Sequence, residues 1–160
     1  MSAAVRDLVK RFALFPHPEG GFFKESYRSP ETVQLQRGPR SASTAIYFLL
    51  PEGTVSKLHR IQSDEVWHFY LGGPLRLTEL YQDGSRREVV LGQDVKNRQL
   101  LQHVVPAGVW FGAMPDKGAE FSFVGCTVAP GFDFADFELG KRAELVKRFP
   151  MHRAAIERLS

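Results

Sequence analysis

The stretch Pro51-Glu52-Gly53-Thr54-Val55-Ser56-Lys57-Leu58-His59-Arg60-Ile61-Gln62-Ser63-Asp64-Glu65-Val66-Trp67-His68-Phe69-Tyr70-Leu71-Gly72 decides the fold. Its β-branched and aromatic residues interleave with polar ones around a polar turn at Gln62–Asp64, which predicts two strands, Val55–Ile61 and Glu65–Leu71. Period-two alternation puts Val55, Lys57, His59 and Ile61 on one face, and Glu65, Trp67, Phe69 and Leu71 on one face of the next strand. Folded as a hairpin, this pair would bring His59 and Glu65 side by side. An imidazole facing a carboxyl inside an aromatic cavity makes either a metal site or a tuned acid/base pair.

Outward from this stretch the same pattern continues. Strands are predicted near Phe22–Arg28, Thr44–Leu50, Leu75–Tyr81, Glu88–Leu91, Gln102–Pro106, Trp110–Met114 and Phe121–Ala129, with an Asp83-Gly84 hairpin turn between two of them. Helical periodicity is confined to the ends: Val5, Leu8, Val9 and Phe12 form one face, and Lys141–Phe149 and His152–Leu159 form two further short helices. Many short strands between terminal helices predict an all-β sandwich or barrel in one domain, residues 1–160, rather than alternating βαβ units. Such a sheet has edges to protect, and a homodimer sharing strands is the expected remedy.

Composition narrows the function. The 160 residues are 43% hydrophobic and 24% charged, with no apolar run of membrane-spanning length, so an integral membrane protein is not expected. The net charge of +3 is dispersed and interleaved with acidic residues, which argues against nucleic acid as a partner. One cysteine, Cys126, cannot close an internal disulfide, and a cytoplasmic setting is expected. Gly-x-Ser-x-Gly, P-loop and dinucleotide fingerprints are all missing.

The spacing of Gly53, His59, Glu65 and Gly72 resembles the first motif of the cupins, with Ile61 where that family has a second histidine. The second motif is similar at Pro106-Ala107-Gly108, with Phe111 at its histidine position. The whole chain resembles one cupin branch, cupin_5 (domain of unknown function 985), through Pro16–Phe23, Ser43–Leu50, His59–Ile61, Asp64–Phe69, Val105–Trp110 and Gly125–Phe134. That resemblance implies a double-stranded β-helix, the RmlC-like jelly-roll barrel, and a dimer. It implies no particular reaction.

The candidate catalytic residues are therefore His59, Glu65 and Lys57. His59 would act as base and Glu65 would orient it. Lys57 would supply a cation to an anionic substrate, or stand at a bulge or edge with its ammonium in solvent. Tyr47, Trp67, Phe69, Trp110 and Phe111 are candidate pocket walls or plain core, and His103 reaches the cavity or stays on the surface. His68 points the other way, Cys126 is an inert buried thiol, and His17 and Glu19 sit in a Pro/Gly-rich loop near a barrel mouth. The expected function is small-molecule binding, with a metal-independent isomerase or epimerase on a small polar or sugar-like metabolite as the enzymatic form. The alternatives are a non-catalytic binding module, or a metal enzyme with an incomplete ligand set. No cofactor is expected, although His59 and Glu65 could share a divalent metal.

Overall fold

The computed structural model describes all 160 residues. Helix α1 (Ala3–Arg11) is followed by β1 (Phe15–Pro16), β2 (Phe22–Arg28), β3 (Thr32–Leu35), β4 (Gly38–Ser41), β5 (Thr44–Pro51), β6 (Ser56–Arg60) and β7 (Asp64–Gly72). Then come β8 (Leu75–Leu80), β9 (Arg86–Leu91), β10 (Gln102–Val105), β11 (Trp110–Pro115), β12 (Phe121–Ala129), β13 (Glu138–Leu139), and helices α2 (Arg142–Arg148) and α3 (Arg153–Arg158). The strands form two facing antiparallel sheets, ordered β1-β2-β5-β12-β7-β10 and β13-β6-β11-β8-β9, with β3 and β4 as a separate hairpin. This is the predicted jelly roll, built as a sandwich with open edges rather than as a closed barrel. The β3–β4 hairpin lies outside the predicted strands. Its Pro39, Gly38 and charged residues carry little strand signal, and its stability comes from elsewhere in the fold.

Alternation on β5 explains the layering. Thr44, Ile46, Phe48 and Leu50 turn toward the facing sheet, while Tyr47 and Leu49 turn outward to meet α1. Helix α1 begins where the Ser2 hydroxyl accepts the Val5 N–H at 3.2 Å, and it seals Val5 against Leu14, Leu49 and Phe123. The central core packs Phe48, Leu50, Trp67, Phe69, Leu77 and Phe111 between the sheets. On the outer face of the second sheet, Leu145, Ile156 and Leu159 of the C-terminal helices cover Leu58, Leu80 and Trp110.

Two local irregularities change what alternation predicts. The turn after β6 is a corner that sends the chain to the other sheet, so β6 and β7 face each other instead of forming a hairpin. Within β6 the ladder to β11 pairs Phe111 with His59 but Ala113 with Ser56, which places one extra residue on β6. That bulge turns both Ser56 and His59 inward and leaves Lys57 exposed. A second shift, between β12 and β7, exposes Leu71 and lays the Tyr70 ring over Gly125, where a Cβ would stand 2.2 Å from the phenolic oxygen.

Candidate functional site

A cavity of about 270 Å³ opens between the sheets at the end where β2, β5, β6, β7 and β12 converge. Phe23, Phe48, Phe132, Phe134 and Phe137 supply most of its walls, and His17, Glu19, His59, Glu65 and Cys126 its polar floor. His59 and Glu65 thus share the cavity as expected, but they come from opposite sheets, and neither a hydrogen bond nor an ion pair joins them.

The partner of His59 is Glu19. His59 is 3% exposed, and its Nδ1 lies 2.7 Å from the Lys57 carbonyl oxygen and 3.0 Å from Glu19 Oε2. A carbonyl only accepts, so Nδ1 carries the proton; Nε2 of the neutral ring keeps its lone pair, and the polar contacts of His59 all run through Nδ1. The other oxygen of Glu19 accepts the Ser56 hydroxyl at 2.6 Å. The β6 bulge makes this possible by turning Ser56 and His59 to the same side.

His17 has the opposite tautomer. Its Nδ1 accepts the Glu19 backbone N–H at 3.2 Å, which leaves an N–H on Nε2, and its ring stands edge-on to Phe23 at 4.5 Å. Burial lowers both histidines to about 4, so both are neutral at pH 7; for His59 the Lys57 carbonyl opposes the shift and nearby His17 adds to it. Burial pushes Glu19 well above the usual carboxylate range, against the Ser56 hydrogen bond and with a further rise from Glu65. Glu65 is pushed up to about 7 by burial, eased by a hydrogen bond with the Cys126 thiol, whose own ionisation burial suppresses.

The aromatic segment is held from outside. Asp136 takes the Arg40 guanidinium at 2.8 Å and Arg37 at 3.3 Å, and the Arg40 hydrogen bond keeps its carboxyl below the ordinary range. The β3–β4 hairpin is thereby clasped to the turn that bears Phe132, Phe134 and Phe137.

Several predicted site residues lie elsewhere. Lys57 is on the outer surface because of the bulge, so it offers the cavity no charge. Tyr47 packs on Phe12 and Phe123 under α1, and Trp110 packs under the C-terminal helices with Arg60 over its ring. Trp67, Phe69 and Phe111 are core behind the cavity, Phe111 lying 4.2 Å from the His59 ring. His103 is buried at the far side, hydrogen bonded to Glu79, which also accepts from Tyr81 at 2.5 Å. It is neither a cavity group nor a surface histidine. The sequence signal for the groups that replace these was the His17-x-Glu19 pair between Pro16 and Gly20, and the phenylalanine run in a polar loop after Pro130.

Ile61 and Phe111 stand at two of the motif's ligand positions, and no group of three or more His, Cys, Asp or Glu side chains is arranged to hold a metal.

Comparison with known proteins agrees with this architecture. A hypothetical protein from Leishmania major is 38% identical, with 97% of each chain covered and a TM-score of 0.91. Protein SO0799 from Shewanella oneidensis is also 38% identical, covering 100% of this chain and 98% of its own, again at 0.91. The uncharacterised protein YML079W of Saccharomyces cerevisiae is 31% identical over 91% of this chain and 79% of its own length. A mutant oxalate decarboxylase from Bacillus subtilis shares the fold alone, at 12% identity and a TM-score of 0.56 over 91% of this chain and 37% of that one. The family described as Cupin superfamily (DUF985) matches residues 6–140, and the chain belongs to it.

Proposed function

We propose that this cupin is a metal-independent isomerase of the epimerase type, acting on a small polar, sugar-like metabolite that has an acidic C–H next to a carbonyl. The observation that carries this is His59: a buried neutral imidazole, fixed through Nδ1 by Lys57 and Glu19, with a free lone pair on Nε2 in a 270 Å³ cavity. A base so held meets the geometric demand of general-base catalysis. In the forward step Nε2 removes the proton α to the carbonyl, and the electron pair moves to the carbonyl oxygen. The Nε2–H of neutral His17 is the donor available to that oxygen, the role first expected of Lys57. Glu19 faces the imidazolium that forms. Glu65, on the opposite sheet and protonated below about pH 7, has a proton to return to the carbon.

The test is exchange in D2O, followed by NMR, over a panel of small hydroxy- and amino-carbonyl compounds. Deuterium incorporation at the α carbon is expected with wild type. His59→Ala should lower it by about 10²-fold or more, the usual weight of a general base. A panel member that binds without any exchange would support the non-catalytic binding module instead.

We also take the chain to act as a cytoplasmic homodimer. Support for pairing is the open β10 edge, where Leu101 and Val104 are exposed at 53% and 48%. No helix is long and apolar enough to cross a membrane. Light scattering should give twice the chain mass, and Val104→Lys should halve it; a monomer at micromolar concentration would end the pairing idea.

A further inference from the structure

The ionisable groups around the cavity are lopsided. Arg28 is the one basic side chain among Lys or Arg residues that lines it, and its guanidinium is already paired with Glu25. Nε and Nη2 reach the two Glu25 oxygens at 2.9 and 2.8 Å, and Nη2 also donates to the Phe132 carbonyl at 3.1 Å. Lys57, the other cation the sequence places nearby, faces solvent. Against this stand the carboxyl groups of Glu19, Glu65 and Asp133, beyond the Glu25 that Arg28 neutralises.

The unsatisfied valences agree in sign. His59 Nε2 is an acceptor without a partner, and Glu65, 8% exposed, has only the weakly donating Cys126 thiol. A carboxyl buried to this degree with no cation beside it keeps its proton up to about pH 7, and an ammonium at its side would supply the counter-charge that lets it ionise. The walls add to the preference. Phe132, Phe134 and Phe137 meet at 81°, 74° and 72°, with centroids 4.9 to 6.3 Å apart, and Phe23 and Phe48 line the space below them. Phenylalanine faces carry negative potential and attract ammonium groups. The His17 Nε2–H on the floor is a neutral donor and suits a carbonyl oxygen rather than an anion.

We propose that the cavity takes a ligand bearing a protonated amine and no phosphate or carboxylate group. This rests on the cavity being the ligand site described above, and it narrows the substrate to an amino-bearing polar molecule such as an amino sugar. Anionic metabolites meet no free cation, and neutral ones offer the Glu65 carboxyl a hydrogen bond but no counter-charge.

The experiment measures binding, by ligand-observed NMR and thermal shift, to two trios: glucosamine, glucose and glucose 6-phosphate, then cyclohexylammonium, cyclohexanol and cyclohexanecarboxylate. In each trio the ammonium should bind roughly tenfold more tightly than the neutral compound, with the anion weakest. Glu65→Gln should erase that preference, and Phe134→Ala, at a position 56% exposed and safe for folding, should weaken it. A neutral or anionic compound binding as tightly as the ammonium, or no ammonium binding at millimolar concentration, overturns the proposal. The exchange assay is read separately. Ammonium binding without exchange defeats the isomerase and leaves this inference standing; exchange confined to neutral or anionic compounds does the reverse.

Discussion

At the scale of the residue, Glu65 is where folding and function pull apart. Its carboxyl ionises near pH 7 in the folded protein against about 4.5 when solvated, because burial disfavours the charge. The folded state therefore binds more protons between those values, and this contribution to stability is complete below about 4.5 and lost as pH rises through 7. Glu65→Gln removes the effect. The stability of the variant relative to wild type should rise from pH 4.5 to 7 by up to about 3 kcal/mol and then level off. Urea denaturation across that range checks it, and a difference independent of pH would mean that Glu65 is solvated or paired. The sequence made His59 and Glu65 legible as inward polar groups, since a motif spacing and strand alternation both point to them. It could not show that Glu19, forty residues away along the chain, supplies the carboxyl group that His59 meets.

At the scale of the element, the site depends on two departures from regular structure, and both are invisible to periodicity. Alternation alone puts Lys57 beside His59; one extra residue in β6 exchanges it for Ser56, and Ser56 then holds Glu19. The loop carrying His17 and Glu19 is the second departure. Lys57 donates its N–H to the Glu19 carbonyl at 2.9 Å, so the loop is stitched to the bulge itself. Gly20 sits at φ +117°, and a Cβ there would lie 2.0 Å from the Val55 carbonyl oxygen. Backbone cannot retreat as a flexible side chain would. Gly20→Ala should cost about 2 kcal/mol or more in stability and move Glu19 away from His59, abolishing α-proton exchange. Chemical denaturation and the exchange assay report the two effects. Wild-type stability with full exchange would show that the loop has another conformation open to it.

At the scale of the whole molecule, the jelly roll was legible because nine strand-length runs and three terminal helices leave few ways to bury their apolar faces. The sheet in which each strand lies was not legible, because the corner at Gln62–Asp64 and a tight hairpin turn look alike in sequence. The division of the aromatics was hidden for the same reason. Trp110 and Phe111 are neighbours on one strand, yet one supports the C-terminal helices and the other the central core. This layering separates stability from binding. Ile156 is fully buried with Leu58, Trp110 and Leu145 on the outer face of the second sheet, while the cavity opens on the inner side. Ile156→Ala should therefore cost about 2–5 kcal/mol, the usual loss for an emptied aliphatic site. Ammonium affinity, measured where the variant is still folded, should stay within about twofold of wild type, as expected of a site that shares no partner with the change. A parallel fall in affinity would mean that the helices hold β6, and with it His59, in place through Leu58, whose N–H donates to the Leu159 carbonyl at 2.7 Å.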